Sequence, residues 1–176
     1  MKAGIETNRL ILRELEMTDD TSMFQLDSDA DVHKYLGNNP VKTIEESRQI
    51  IAMIQQQYKD YGIGRWAMIE KSSNDFIGWA GLKFITEPIN NHVHYYDLGY
   101  RLVKRYWGKG FATEAAQAAL DYGFTVLKQD FIYGIAVVEN TASIHVLQKA
   151  GLTPVENFMH AGLPHVWLQA DNKRLT

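Results

Sequence analysis

The chain of 176 residues has no cysteine, which excludes disulfides, zinc–thiolate clusters and a cysteine nucleophile. Only four prolines occur, and no repeat, low-complexity tract or Pro/Ser-rich linker divides the chain. No apolar run approaches the ~20 residues of a membrane span. The first ten residues turn polar too early to supply the apolar region of a signal peptide. Charge of neither sign dominates: 18 Lys+Arg stand against 21 Asp+Glu, a formal charge of −3. That speaks against a protein that grips nucleic acid through a basic surface. What is present is 45% hydrophobic and 22% charged, at a length that lets one domain bury ~70% of its unfolded surface. The expectation is a single soluble, cytoplasmic domain over residues 1–176, without a membrane or nucleic-acid partner. Whether it is a monomer or a homodimer stays open.

Apolar spacing then sets the elements. Residues 9–15 alternate as a strand, and Thr18-Asp-Asp20 offers capping oxygens to a short helix carrying Met23 and Leu26. Thr43-Ile-Glu-Glu46 has capping-box spacing, and Ile50, Ile54, Tyr58 and Tyr61 follow on one helical face before Gly62. Residues 64–70 and 76–84 are apolar, aromatic-rich runs around the turn-prone Ser72-Ser-Asn-Asp75, a hairpin pattern. Residues 92–102 read as the next strand. A long helix from near Gly108 sets Phe111, Ala115, Ala118, Ala119, Tyr122 and Val126 on one side. Residues 131–138 form the returning strand. Asn140 or Thr141 caps a helix that turns Ile144 and Leu147 inward and stops at Gly151. Residues 165–169 give a last strand. The order β-α-α-β-β-β-α-β-α-β predicts a mixed α/β sheet.

The most informative stretch runs from Asp97 to Glu114: a strand, a basic turn with Gly108 and Gly110, then a helix start. A helix N-terminus leaves unpaired N–H groups and partial positive charge, and glycine lets the backbone approach a phosphate closely. Lys104, Arg105 and Lys109 add charge nearby. The spacing fits neither a dinucleotide fingerprint, which needs three glycines, nor a P-loop, which needs a Gly-Lys-Ser/Thr ending. An ordinary strand-to-helix turn, with glycines for geometry, accounts for the pattern as well.

Arg105-x-x-Gly108-x-Gly110 resembles the acyl-CoA signature of the GNAT superfamily of N-acetyltransferases. Thr7-Asn-Arg-Leu-Ile-Leu-Arg13, followed by Thr18-Asp-Asp20, resembles the opening of its Rim-type branch, whose founding members acetylate the N-termini of ribosomal proteins. Tyr106-Trp-Gly-Lys-Gly-Phe-Ala-Thr-Glu-Ala115 is similar to that branch's phosphate loop, and Asn140-Thr-Ala-Ser143 with Lys149-Ala-Gly-Leu152 resembles its Asn-x-x-Ser…Lys-x-Gly-Phe segment. The likeness extends roughly from Glu6 to Leu168. It implies a GNAT fold: a twisted, mixed but mostly antiparallel sheet, helices on both faces, and a V-shaped strand splay for acetyl-CoA. It also implies that backbone N–H groups of Arg105, Gly108, Lys109 and Gly110, and of Phe111, Ala112 and Thr113, hold the CoA pyrophosphate. Peptide groups near Leu102 and Val103 would then pair with the pantetheine arm. Asn140 stands where a side chain commonly reaches pantetheine, and it is equally fit to be a plain N-cap.

Two departures bear on the chemistry. Many GNAT enzymes carry a tyrosine seven residues after the asparagine to protonate the CoA thiolate; Leu147 stands there. In the Rim-type branch a serine three residues after the asparagine is the suggested substitute, and Ser143 occupies that position, where a first-turn helix residue would also be ordinary. Leu152 replaces the usual phenylalanine, a packing change. An ammonium has no lone pair, so a base must take its proton, and Asp97 is the candidate, on the strand where related enzymes place a glutamate. Alternation aims Asp97, Gly99 and Arg101 to one face and Tyr96, Leu98 and Tyr100 to the other. A structural carboxylate pairing Arg101 or a backbone N–H is the alternative reading of Asp97. The activity implied is acetyl transfer from acetyl-CoA to a primary amine, either a protein N-terminal α-amine or a small molecule. A non-catalytic acyl-CoA-binding module is the rival reading. His92-x-His94 puts two imidazoles on one strand face, but no third ligand is in view, so no metal is expected. Trp66, Trp79 and Trp167 are core residues or acceptor-pocket walls, and the Tyr95-Tyr96 pair could turn one ring to the core and one to the acceptor cleft. Residues 20–61 would form the acceptor side, with Gly37-Asn-Asn-Pro40 as its rim.

Overall fold

The computed structural model describes residues 4–173, so the first three residues of the polar N-terminal stretch lie outside it. Eight strands form one sheet: β1 (Ile5–Glu6), β2 (Leu10–Glu14), β3 (Arg65–Glu70), β4 (Phe76–Ile85), β5 (Tyr95–Leu102), β6 (Phe131–Val137), β7 (Thr153–His160) and β8 (Leu163–Asp171). Their spatial order is β1-β2-β3-β4-β5-β6-β8-β7. Every pairing is antiparallel except β5 with β6, which is parallel and joined at the single register pair Asp97↔Tyr133. Beyond that pair the two strands diverge, which is the splay the resemblance implied.

Helices α1 (Asp20–Asp27) and α2 (Ile44–Tyr61) cover one face; α3 (Phe111–Thr125) and α4 (Thr141–Ala150) cover the other. On α2 the capping box forms as expected: Thr43 Oγ1 accepts from the Glu46 amide at 3.3 Å, and the Glu46 carboxylate accepts from the Thr43 amide at 3.2 Å. The buried stripe is Ser47, Ile51 and Ile54, with the expected Ile50 and Tyr58 partly buried beside it and Tyr61 outside it. Over five turns a 3.6-residue period favours that set, and Tyr61 instead packs its ring on Phe84 at 5.1 Å. On α3 the alanines form the predicted stripe, so the helix lies close against β4 and β5. Val126 falls past the helix end and is exposed.

Two core clusters result. One joins α3 and α4 to Leu98, Leu102, Ile132 and Leu168; the other joins α1 and α2 to Leu15, Ala67 and Ile69. The strand expected from residue 92 starts only at Tyr95. His94 is left-handed (φ 55°), and His92 caps a loop bridge to Ile89, so the two imidazoles share no strand face. Trp66 and Trp167 are core residues. Tyr95 packs among His92, Tyr133 and Trp167, and Tyr96 against Phe84, so neither ring lines the cleft described below. The sequence reading did not include β1 or β7.

Candidate active site

The splay opens into a cleft of about 1080 Å³, lined by β5, β6, α4, the turn before α3, the segment 31–37 and the β7–β8 hairpin. Its construction begins with the main chain. Val103 donates its N–H to Ile77 on β4 at 2.9 Å, so alternation turns the peptide groups of Leu98 and Tyr100 away from β4, toward the gap. The Leu102 carbonyl also faces that way, but it accepts from the Trp107 indole at 2.8 Å. Of the peptide groups at Leu102 and Val103, expected to serve a ligand, both carbonyls and the Val103 N–H are therefore engaged, the Val103 carbonyl by the Tyr106 amide at 2.9 Å, while the Leu102 N–H faces the gap. Earlier on the strand the Leu98 carbonyl and the Tyr100 peptide groups face it as well.

At the open end, residues 104–106 make a short 3-10 turn, and Gly108 and Gly110 both adopt left-handed backbone (φ 72° and 81°). Gly110 is the N-cap of α3 and has no side chain with which to cap it. The N–H groups of Phe111, Ala112 and Thr113 thus begin a helix with no side-chain cap, and these residues line the cleft with Gly108 and Gly110. The cationic side chains point elsewhere. Arg105 and Lys109 lie over the Tyr106 ring at 4.9 and 5.3 Å, and neither lines the cleft. Lys104 pairs with Asp31 at the cleft rim. What this end offers to an anion is therefore main-chain N–H groups rather than these side chains.

Asn140 caps α4, its Oδ1 accepting from the Ser143 amide at 3.2 Å, and it also lines the cleft. Ser143 and Tyr100 both line the cleft; burial raises the Tyr100 pKa, and a hydrogen bond with Ser143 opposes that rise. Tyr100 was placed on the right face by alternation but not paired with Ser143. Leu147 and His145 line the same wall.

On the opposite side of the cleft, Asp97 does not pair with Arg101. Its Oδ2 accepts from Arg65 Nη2 at 2.6 Å, and Arg65 Nη1 also donates to the Asp97 carbonyl at 2.7 Å. Arg65 can cross the sheet face because residue 99 is glycine; a Cβ there would lie 2.7 Å from Nη2. Burial raises the Asp97 pKa, with the Arg65 guanidinium and Lys83 opposing. Arg101 binds Asp27, a wholly buried carboxylate of α1, at 2.7 Å. Both guanidinium groups lie over the Trp79 ring, at 5.4 and 5.0 Å. Asp27 is also 3.8 Å from His33, whose pKa is lowered by burial and by Arg101. Across the cleft, His160 and His165 come from the β7–β8 hairpin, and the Nδ1 of His165 lies 2.9 Å from the Leu163 carbonyl. Gly37 of the expected rim is in place. Arg65, Tyr100, Asp27 and the hairpin histidines were not among the sequence candidates; Arg65, a charge inside an apolar run, was the one available signal. Among the described residues no cluster of His, Asp and Glu could hold a metal ion, and no helix is long and apolar enough to cross a membrane.

Comparison with known proteins agrees with this architecture. Residues 9–153 match the acetyltransferase (GNAT) domain family. The uncharacterized N-acetyltransferase p20 of Bacillus licheniformis is 36% identical over 83% of each chain. The spermidine N(1)-acetyltransferase of Escherichia coli is 33% identical over 85% of this chain and 75% of its own. A GNAT-family acetyltransferase of Bacillus anthracis superposes with a TM-score of 0.80 at 27% identity, covering 97% of this chain and 99% of that one. The chain belongs to the GNAT acetyltransferase family and is an acetyl-CoA-dependent N-acetyltransferase.

Proposed function

We propose that this N-acetyltransferase acts, as a single domain in the cytoplasm, on an amine whose neighbourhood carries no further positive charge, and that its acceptor is the α-amine of a protein N-terminus. The carrying observation is the state of the carboxylates. Among the described residues the carboxylates that line the cleft are Asp31 and Asp97, and each is already paired, with Lys104 and Arg65. Lys34, Arg65, Arg101 and Lys104 line the same side. A polyamine needs unpaired carboxylates for its remote ammonium groups, whereas an α-amine on a peptide needs donors for the adjacent carbonyl. The Rim-type resemblance supports the same reading.

Acetyl-CoA supplies an acetyl group activated as a thioester. Its pyrophosphate fits the uncapped N-terminus of α3 between Gly108 and Thr113, and its pantetheine arm fits the peptide groups of Leu98 and Tyr100, with Asn140 beside it. Asp97 serves as the base for the ammonium, directly or through a water: Arg65 fixes Oδ2, and burial raises its pKa toward the range where it can take a proton. Ser143, backed by Tyr100, donates to the thiolate that leaves. The two face the splay from opposite sides of β5, which suits proton removal on one side and delivery on the other. A screen of peptides with free N-termini against spermidine, read by mass spectrometry, tests the acceptor. A kcat/KM at least ~10-fold higher for a peptide is expected. Faster turnover of spermidine would reverse the acceptor assignment.

A further inference from the structure

The Thr7-Asn-Arg9 segment belongs to the resemblance, yet nothing so far gives it a task. In the structure it reaches across more than half the chain to α3. Thr7 Oγ1 donates to Glu114 Oε1 at 2.6 Å, the Arg9 amide donates to the same oxygen at 2.8 Å, and Arg9 Nε donates to Oε2 at 2.7 Å. Arg9 Nη1 donates to the Lys109 carbonyl at 2.9 Å, and the guanidinium lies 4.4 Å from the centre of the Phe111 ring. A Cβ on Gly110 would sit 3.3 Å from Nη2. One side chain therefore touches Lys109, Gly110, Phe111 and Glu114, the turn and the first turn of the helix.

We propose that Arg9 is a positioning residue for the phosphate turn: it fixes the left-handed glycine loop so that the N–H groups of α3 converge on one anion, and it neutralises the carboxylate nearest them. Two physical needs support this. A site made of main-chain donors binds well only if it is ordered beforehand, and two left-handed glycines have no side chains with which to order themselves. Glu114 in the first turn of α3 puts a negative charge near the place where phosphates would lie, and an unpaired carboxylate there would repel them. Burial pushes the Glu114 pKa up, but the bonds from Thr7 and Arg9 outweigh it and leave the pKa lowered, so the pair is ionic. The inference rests on the cofactor reading above.

The test compares two donors, acetyl-CoA and S-acetyl-pantetheine, which lacks the nucleotide and pyrophosphate. The wild-type enzyme should favour acetyl-CoA; equal kcat/KM for both donors would overturn the phosphate-turn reading and this inference together, before any variant is made. In Arg9→Ala, KM for acetyl-CoA and the calorimetric Kd for CoA should rise at least ~10-fold with kcat within about twofold, while kcat/KM for acetyl-pantetheine holds. Arg9→Lys keeps the charge but cannot span Glu114 and the Lys109 carbonyl at once, so it should recover only part of the loss. Glu114→Gln should weaken CoA binding less than Arg9→Ala. If Arg9→Ala does not fold, Arg9→Lys and Glu114→Gln decide by the same donor comparison. Equal losses with both donors, or an unchanged CoA affinity in a folded variant, would reduce Arg9 to a structural contact.

Discussion

The two sides of the cleft are made from different materials. On the side proposed for the cofactor, from β5 through the turn to α3 and α4, the groups that face the cleft are backbone: left-handed glycines, an uncapped helix start, and peptide groups turned into a gap. On the side proposed for the acceptor they are side chains in ion pairs whose members lie far apart in sequence: Arg65 with Asp97, Arg101 with Asp27, Lys104 with Asp31. The first kind of site depends on local conformation and tolerates changes of side chain. In the second, Arg65–Asp97 and Arg101–Asp27 are matched charges held in poor contact with water, so single substitutions in those two pairs should be costly, whereas Lys104–Asp31 is exposed.

Breaking a buried pair is the harshest test of that contrast. Asp27→Ala strips Arg101 of its partner against a carboxylate that is only 1% exposed. It should lower unfolding stability by about 3 kcal/mol in a urea titration, whereas Asp31→Ala, which breaks an exposed pair on the same wall, should leave the midpoint in place. Equal effects would show that burial does not separate the two pairs. Next in size is the reaction itself. Asp97→Asn should cut kcat by ~100-fold, because the amide cannot accept a proton. The wild-type rate should climb as pH rises through the raised Asp97 pKa, since the protonated acid is inactive as a base; the Asn variant should lose that limb and keep only the rise from the amine's own ionisation. An unaltered profile would move the base elsewhere. The smallest effect is expected where the cofactor side uses side chains at all. Ser143→Ala and Tyr100→Phe should each lower kcat on the order of 10-fold, because a thiolate leaves readily, with CoA affinity in calorimetry hardly changed. A loss of affinity without a change in kcat would make the pair a binding element instead.

The same division explains what could be read from the sequence. Backbone-made features come from contiguous residues, so the turn, the Thr43/Glu46 box and the Asn140 cap were all legible as motifs. The face assignment along β5 followed from alternation alone. The Asp97 partner did not, because Arg101 is nearby in the chain while Arg65 is nearby only once β3, β4 and β5 are aligned. Strand β7 was missed for a different reason: Thr153-Pro-Val-Glu-Asn-Phe-Met-His160 is a mostly exposed edge with proline near its start, so it shows no alternation to detect. The residue pair His92 and His94 looked like strand because its neighbours are strand; the left-handed turn at His94 left no local signal.

One pair of residues, Asp97 and Tyr133, is where five strands on one side of the sheet meet three on the other. Mechanically that is a seam, and the three-strand wing beyond it carries the hairpin with His160 and His165, which faces the 31–37 segment across the cleft. Ladder hydrogen bonds join the two wings at that pair, so the burden of keeping them together passes to side chains: α3 packs on β4 and β5 and also on β6, and one apolar cluster runs from Leu98 and Leu102 to Ile132 and Leu168. What looks like one sheet is held across its middle as two sheets would be, by buried apolar surface more than by peptide hydrogen bonds to a neighbour.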